Sequence, residues 1–447
     1  MPGPACCLLA AFLSSAVVEA AAGADGEVAA GRAPIDLVGP EKNSVTFTLT
    51  PGAAVRVRSL TDTLTLAYTP RIFYRVPNSL EVSRPLVLHQ VSLDHTVELS
   101  RRLTVASSAG LSVGEIDYTA SSLVFAPGSS AVRSSVADIV RAEGQTGFKL
   151  EVTRRLRWTV DASAEYTTPI GDSGTITGLP DGTPLPEGVS LGALPESAQF
   201  SARSSLSYAV TRTDRLAANG EITYQWFPDT GRFLLFSPDI SWDKNISRRT
   251  TMTLRGGVAY VVTLETPEGA EDQANAFGGT GGFQMTTMLY KTRKTSLNGS
   301  FNASLDWFFD PVAGTSQPRA GVDIGTDLLI GREWQISPSA SFYAVLRDDN
   351  PTTLGVPPIQ TPGGTDAPIP IDAVVIDSDN TVLRAEIPFR YALTRSVSFT
   401  FGTRASLRGN SITQDGFKLD QRTEYWVFAG LTVRFAAGRD YGSWLTL

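Results

Sequence analysis

Two histidines, His89 and His95, are the chain's only imidazoles, and so the first residues to weigh for metal ligation or acid–base chemistry. Both fall in the alternating stretch 86–99, six positions apart, which is about 20 Å along an extended strand. That is too far for both to bind one metal ion. Their parity groups them with Val87, Val91, Leu93, Val97 and Leu99 on the apolar side of the stretch. No serine, histidine and carboxylate set with a recognisable local motif accompanies them, so structural or interfacial imidazoles are a better reading than hydrolysis. The carboxylate groupings Asp348-Asp349-Asn350, Glu268 with Glu271-Asp272, and Asp377 with Asp379 lie in stretches rich in Gly, Pro and Ser. They read as solvated loops and match no calcium-binding loop. Gly278-Gly279-Thr280-Gly281-Gly282 lacks the Gly-Lys-Ser/Thr that completes a phosphate loop. It fits a strand that bends or lets a neighbour come close. Both cysteines, Cys6 and Cys7, sit in the N-terminal apolar run, leaving no thiolate chemistry or disulfide framework downstream. The sequence therefore points to no catalytic residue, no metal and no cofactor.

The remaining charges are spaced as if to line something. They recur singly, at alternate positions of long two-faced segments. The clearest is 294–309, KTSLNGSFNASLDWFF, where Leu297, Gly299, Phe301, Ala303, Leu305 and Trp307 share one face and Ser296, Asn298, Ser300, Asn302, Ser304 and Asp306 the other. Such alternation runs well beyond the roughly 5–6 residues of an ordinary soluble strand and suits the about 9–11 residues of a tilted membrane strand. Charged residues make up 19% of the chain, below the ~25% usual in soluble proteins. No stretch of the mature chain reaches the ~18 apolar residues of a membrane helix. A net charge of −7 with scattered basic residues excludes a nucleic-acid footprint.

Short turns of one chemistry join these segments: Ser100-Arg101-Arg102, Thr153-Arg154-Arg155, Thr211-Arg212-Thr213, Ser247-Arg248-Arg249, Thr292-Arg293, Gly331-Arg332 and Thr394-Arg395. The other connections, roughly 116–145, 168–197, 265–275, 309–318, 347–380 and 409–422, are longer and rich in Gly, Pro, Asp and Ser. Asp229-Thr230-Gly231 is a short exception on the long side. Short periplasmic turns alternating with long extracellular loops are the pattern of an outer-membrane barrel. The fold expected is all-β, a transmembrane antiparallel up-and-down barrel of about sixteen strands, within a range of fourteen to eighteen. Residues 1–22 read as a signal peptide, 23–43 as a periplasmic lead-in, 44–436 as the barrel and 437–447 as a tail. The stretch 44–58, interrupted by Pro51-Gly52, is left open as a spanning strand. Val132, Val136, Ile139 and Val140 stand at helical spacing, so a small helix is expected over 131–143.

The hairpin pattern, the segment Tyr68-Thr69-Pro70-Arg71 and the Ser/Thr-Arg turns resemble those of the β-barrel porin family of Gram-negative outer membranes, over residues 44–436. The resemblance is architectural. It implies an outer-membrane location, contact with outer-membrane lipid and lipopolysaccharide, small hydrophilic solutes as cargo, and a homotrimer by analogy alone. The polar parity supplies the expected lining: basic Arg71, Arg75, Arg384, Arg390, Arg404, Arg408 and Arg434 on strands that closure makes neighbours, and acidic Asp161, Glu165, Glu221, Asp239, Asp243, Asp306, Asp323 and Asp327 on strands across the bore. Passive diffusion through a charge-divided lumen is the favoured function. A lipid hydrolase at the barrel surface and a plugged barrel serving as an envelope scaffold or polymer-export component remain alternatives.

Overall fold

A computed structural model of the chain describes residues 17–33, 42–77, 84–117, 136–170, 196–227, 231–265, 275–310, 315–346, 375–414, 417–419 and 422–437. Among these, no helix is long and apolar enough to cross a membrane. Eighteen antiparallel strands close into one barrel. In chain order they are β1 (Val17–Ala33), β2 (Lys42–Arg58), β3 (Asp62–Tyr68 and Arg71–Val76), β4 (Leu86–Ser100), β5 (Leu103–Asp117), β6 (Val136–Glu151) and β7 (Leu156–Pro169). Then come β8 (Ser197–Ala209), β9 (Asp214–Phe227), β10 (Gly231–Asn245), β11 (Thr250–Glu265), β12 (Ala276–Lys291) and β13 (Thr295–Asp310). The last five are β14 (Thr315–Ile330), β15 (Trp334–Ile336 and Ser339–Val345), β16 (Val375–Ala392), β17 (Val397–Gln414) and β18 (Phe417–Leu419 and Arg422–Ala437). Each unbroken strand has 13 residues or more, enough to cross a bilayer at a tilt.

The strand count reaches the upper end of the expected range because two strands precede Asp62. β2 runs unbroken through Pro51-Gly52. The register against β3 is the same on both sides of its gap, Ala53 facing Tyr68 and Leu49 facing Ile72, so Pro51 stands opposite Pro70. Two residues without an N–H donor thereby fall on one rung, and the ladder is interrupted once instead of twice. β1 corrects the reading of 23–43 as an unpatterned lead-in over residues 23–33, which belong to the strand 17–33, and β2 already begins at Lys42; residues 34–41 lie outside the described set. β1 pairs with β2 along its whole length, Val17 with Arg58 through Ala33 with Lys42. On its other edge it meets β18, from Ala20 with Ala437 to Arg32 with Tyr425. This seam closes the barrel and leaves no open sheet edge. Residues 1–16 of the expected signal peptide, and all of the expected tail beyond Ala437, lie outside the described residues.

The helix expected over 131–143 is corrected from residue 136 on, where the chain is already in β6; residues 131–135 lie outside the described set. The helical spacing arises because Ile139 is an apolar residue on the polar face. It is 3% exposed and in line with Gly114 and Leu88 across two ladders. Placing it beside outward Val140 mimics a 3.6-residue period. Gly114 has φ +135°, and a Cβ there would meet the Val87 carbonyl oxygen at 2.2 Å.

Each short turn is built by its hydroxyl. Ser100 Oγ accepts the N–H groups of Arg102 and Leu103 at 3.2 and 3.1 Å, and Thr153 Oγ1 those of Arg155 and Leu156 at 3.2 and 2.9 Å. Thr211, Ser247, Thr292 and Thr394 do the same in their turns. Side-chain oxygen thus replaces a backbone partner that a tight turn cannot supply. Gly331 substitutes for the hydroxyl residue by adopting φ +68°, which glycine tolerates without strain.

Candidate pore lining

One face of the wall is apolar and uncovered: Ile240, Phe277, Val427 and Phe435 are 66%, 68%, 60% and 65% exposed. In a closed barrel this is the outer, lipid-facing surface. Both histidines belong to it. His89 Nδ1 lies 2.7 Å from the Tyr68 hydroxyl, the two rings near-parallel with centroids 6.2 Å apart, and His95 Nε2 lies 3.3 Å from Asp62 Oδ1. Trp307 rests where Gly278 leaves room, since a Cβ there would meet its ring at 2.3 Å; its indole N–H donates to the Gly279 carbonyl oxygen at 3.3 Å. The glycine run therefore serves a close approach.

The opposite parity carries the charges. On the middle strands, acids are held largely by neutral donors. Asp239 accepts from Asn219 Nδ2 at 2.6 Å, and Asp243 from the Thr253 hydroxyl at 2.8 Å. Asp323 accepts from Asn302 Nδ2 at 3.1 Å and from the Tyr343 hydroxyl at 2.6 Å. Asp327 accepts from Gln335 Nε2 at 2.8 Å and the Ser337 hydroxyl at 2.7 Å. A neutral donor fixes the carboxylate in place without itself cancelling the charge; arginines stand nearby, Arg215 facing Asp243 and Arg384 on the rung of Asp323. Arginine intervenes at fewer points. Arg255 reaches over Gly282, on the strand between, to Asp306 at 2.7 Å, and Arg141 contacts Glu165 at 3.1 Å. Arg203 faces Asp161 in one ladder and Glu221 in the next.

The strands flanking the seam carry the arginines. Arg71 and Arg75 are on β3, Arg384 and Arg390 on β16, Arg404 on β17 and Arg434 on β18. Arg75 is 5% exposed, packed within 5.8 Å of the Phe73 ring centroid. Arg408 is placed on β17 by its backbone, opposite Val382 and Arg422; its side chain lies outside the description. Arg404 stacks over Phe428, 4.9 Å from the centroid, and Gly402 clears the space for that ring.

β1 adds to the charged face three acidic residues that sequence reasoning missed. Glu27 ion-pairs with Arg404, Glu19 accepts from Arg56 Nε at 2.6 Å, and Asp25 accepts from the Thr432 hydroxyl at 2.5 Å. The signal was present in their odd numbering, which puts all three on one face of a strand. It was masked because alanine and glycine on the other face provide no apolar contrast. The wall around the seam is therefore mixed, with acids set among the arginines.

No protein-family model matches the chain, and no curated protein matches it. Among solved structures, it is similar to the copper transporter OprC, at 10% identity and TM-score 0.46, covering 94% of this chain and 81% of that one. It is likewise similar to OccK2 (OpdF) of Pseudomonas aeruginosa, at 8% identity and TM-score 0.44 over 94% and 98% of the two chains. A third is OccAB4 of Acinetobacter baumannii, at 9% identity and TM-score 0.42 over 94% and 98%. The chain's own ladders close on themselves, and one face of the wall is apolar and uncovered while the other carries the charges: the protein is a transmembrane β-barrel of the outer-membrane type.

Proposed function

We propose that the barrel is a passive diffusion channel for small hydrophilic solutes, with a lumen whose charge differs from wall to wall. The observation that carries this reading is the inner face itself. Across β9 to β15 it presents Asp239, Asp243, Asp323 and Asp327 on neutral hydrogen-bond donors, an arrangement suited to water and costly in any dry interior. Barrels of 16–18 strands exceed what their own side chains fill. Across the barrel from Asp239 and Asp243 on β10, Arg434 lies on β18; Arg384 and Arg390 on β16 stand close to the acids of β14, Arg384 on the rung of Asp323 and Ser341 and Arg390 opposite the Gln335 that holds Asp327. Facing walls of unlike charge raise a transverse field that orients dipolar solutes. Glu27 and Asp25 temper that field at Arg404 and Thr432, so the division is strongest away from the seam itself.

The test is solute entry into proteoliposomes. Vesicles containing the folded barrel should swell in isotonic solutions of small neutral sugars at rates that fall with solute size. Swelling no faster than that of protein-free vesicles for every sugar would contradict passive diffusion.

A further inference from the structure

The short turns place arginine where the turn itself has no use for it. Leu393, Thr394 and Arg395 show the order, with Arg395 partnered, and in each of four further turns an apolar residue on the outer face is followed by the capping hydroxyl and then by arginine. The sets are Leu99, Ser100, Arg101; Val152, Thr153, Arg154; Val210, Thr211, Arg212; and Ile246, Ser247, Arg248. A fifth has glycine in the middle, Ile330, Gly331, Arg332. The leading apolar residues are 62%, 41%, 43%, 54% and 42% exposed and mark the lower edge of the outer apolar band. The hydroxyl satisfies the turn's amides in the four that have one, so the guanidinium is not needed to build it. All five arginines are exposed, and among the described residues no ion pair holds them.

A cation set one step beyond the last lipid-facing apolar side chain lies at headgroup depth. A guanidinium there presents a planar fork to phosphate oxygens. We infer that this rim is a binding surface for anionic phospholipid headgroups of the periplasmic leaflet, gripped by Arg101, Arg154, Arg212, Arg248 and Arg332 while the preceding apolar residues seat in the acyl boundary. This goes beyond solute passage and does not depend on it. The rim would anchor the barrel's depth and recruit an anionic lipid ring around its periplasmic end.

Detergent-folded barrel is titrated with phosphatidylglycerol or phosphatidylcholine, with and without excess inorganic phosphate, and retained lipid is read by native mass spectrometry. The expected result is retention of phosphatidylglycerol over phosphatidylcholine, unaffected by phosphate. Replacing the five arginines with glutamine should cut that preference by at least about tenfold, while lysine at the same positions, which keeps the charge without the fork, retains part of it. Folding of both variants is checked by heat-modifiable migration, and the wild-type comparison of the two lipids stands without them. Equal retention of the two lipids, an unchanged preference in the glutamine variant, or displacement by inorganic phosphate alone would each overturn the inference, the last making the rim a site for free anions.

Discussion

Arg404 shows how much of the inner wall's chemistry turns on single side chains. Its guanidinium lies between Glu27 and the face of Phe428, so one substitution changes both a charge balance and a stacking contact. Arg404→Ser leaves Glu27 without its partner, and the reversal potential in a salt gradient should move toward that of the cation. Adding Glu27→Gln should return most of the shift, because both charges are then gone. Both side chains keep 33% of their surface exposed, so the cost in unfolding free energy is about 1 kcal/mol. An unmoved reversal potential in the single variant would show that Arg404 supports the wall and does not face the permeation path. At this scale, parity carries most of the information in the sequence. Arg71, Asp243 and Asp323 could be assigned a face because apolar residues alternate with them. Their partners were not legible: Tyr343 reaches Asp323 from two rungs away on the next strand, and Arg255 reaches Asp306 across β12, whose ladder with β13 shifts register at Met288 and Tyr290.

Among the elements, β1 differs most from expectation and has the largest consequence. Alanine and glycine give its outer face little hydrophobic contrast, so its alternation is nearly silent. The short turns were readable for the opposite reason, because a hydroxyl that caps two amides must stand at a fixed place. Ala24→Cys and Val433→Cys, which are directly opposite across β1 and β18, should form a disulfide on mild oxidation of the membrane-inserted protein. Facing residues of an antiparallel pair have Cα atoms about 4.5–5.5 Å apart, within disulfide range. The cross-link should survive removal of residues 1–22 as a leader, since residues 23–33 match the roughly 9–11 needed to span. Absence of the cross-link in correctly folded protein would remove β1 from the wall and reopen the question of what closes the barrel.

For the whole molecule, closure and wall chemistry together determine behaviour. Eighteen strands in one closed ladder with an apolar outside require a bilayer, and the opposite face, with Asp239, Asp243, Asp323 and Arg390, is the lining we propose for a water-filled bore. The architecture was legible in the sequence because loop length sorted to one end and turn chemistry to the other. The strand total depended on Pro51 facing Pro70 and on β1, features that become visible only once neighbouring strands are in register. The most direct measurement is the current through purified protein in a planar lipid bilayer. The account predicts discrete open steps at low voltage that scale with bulk conductivity, as expected of a water-filled bore. Insertion confirmed by heat-modifiable migration, with no steps at any voltage, would contradict it.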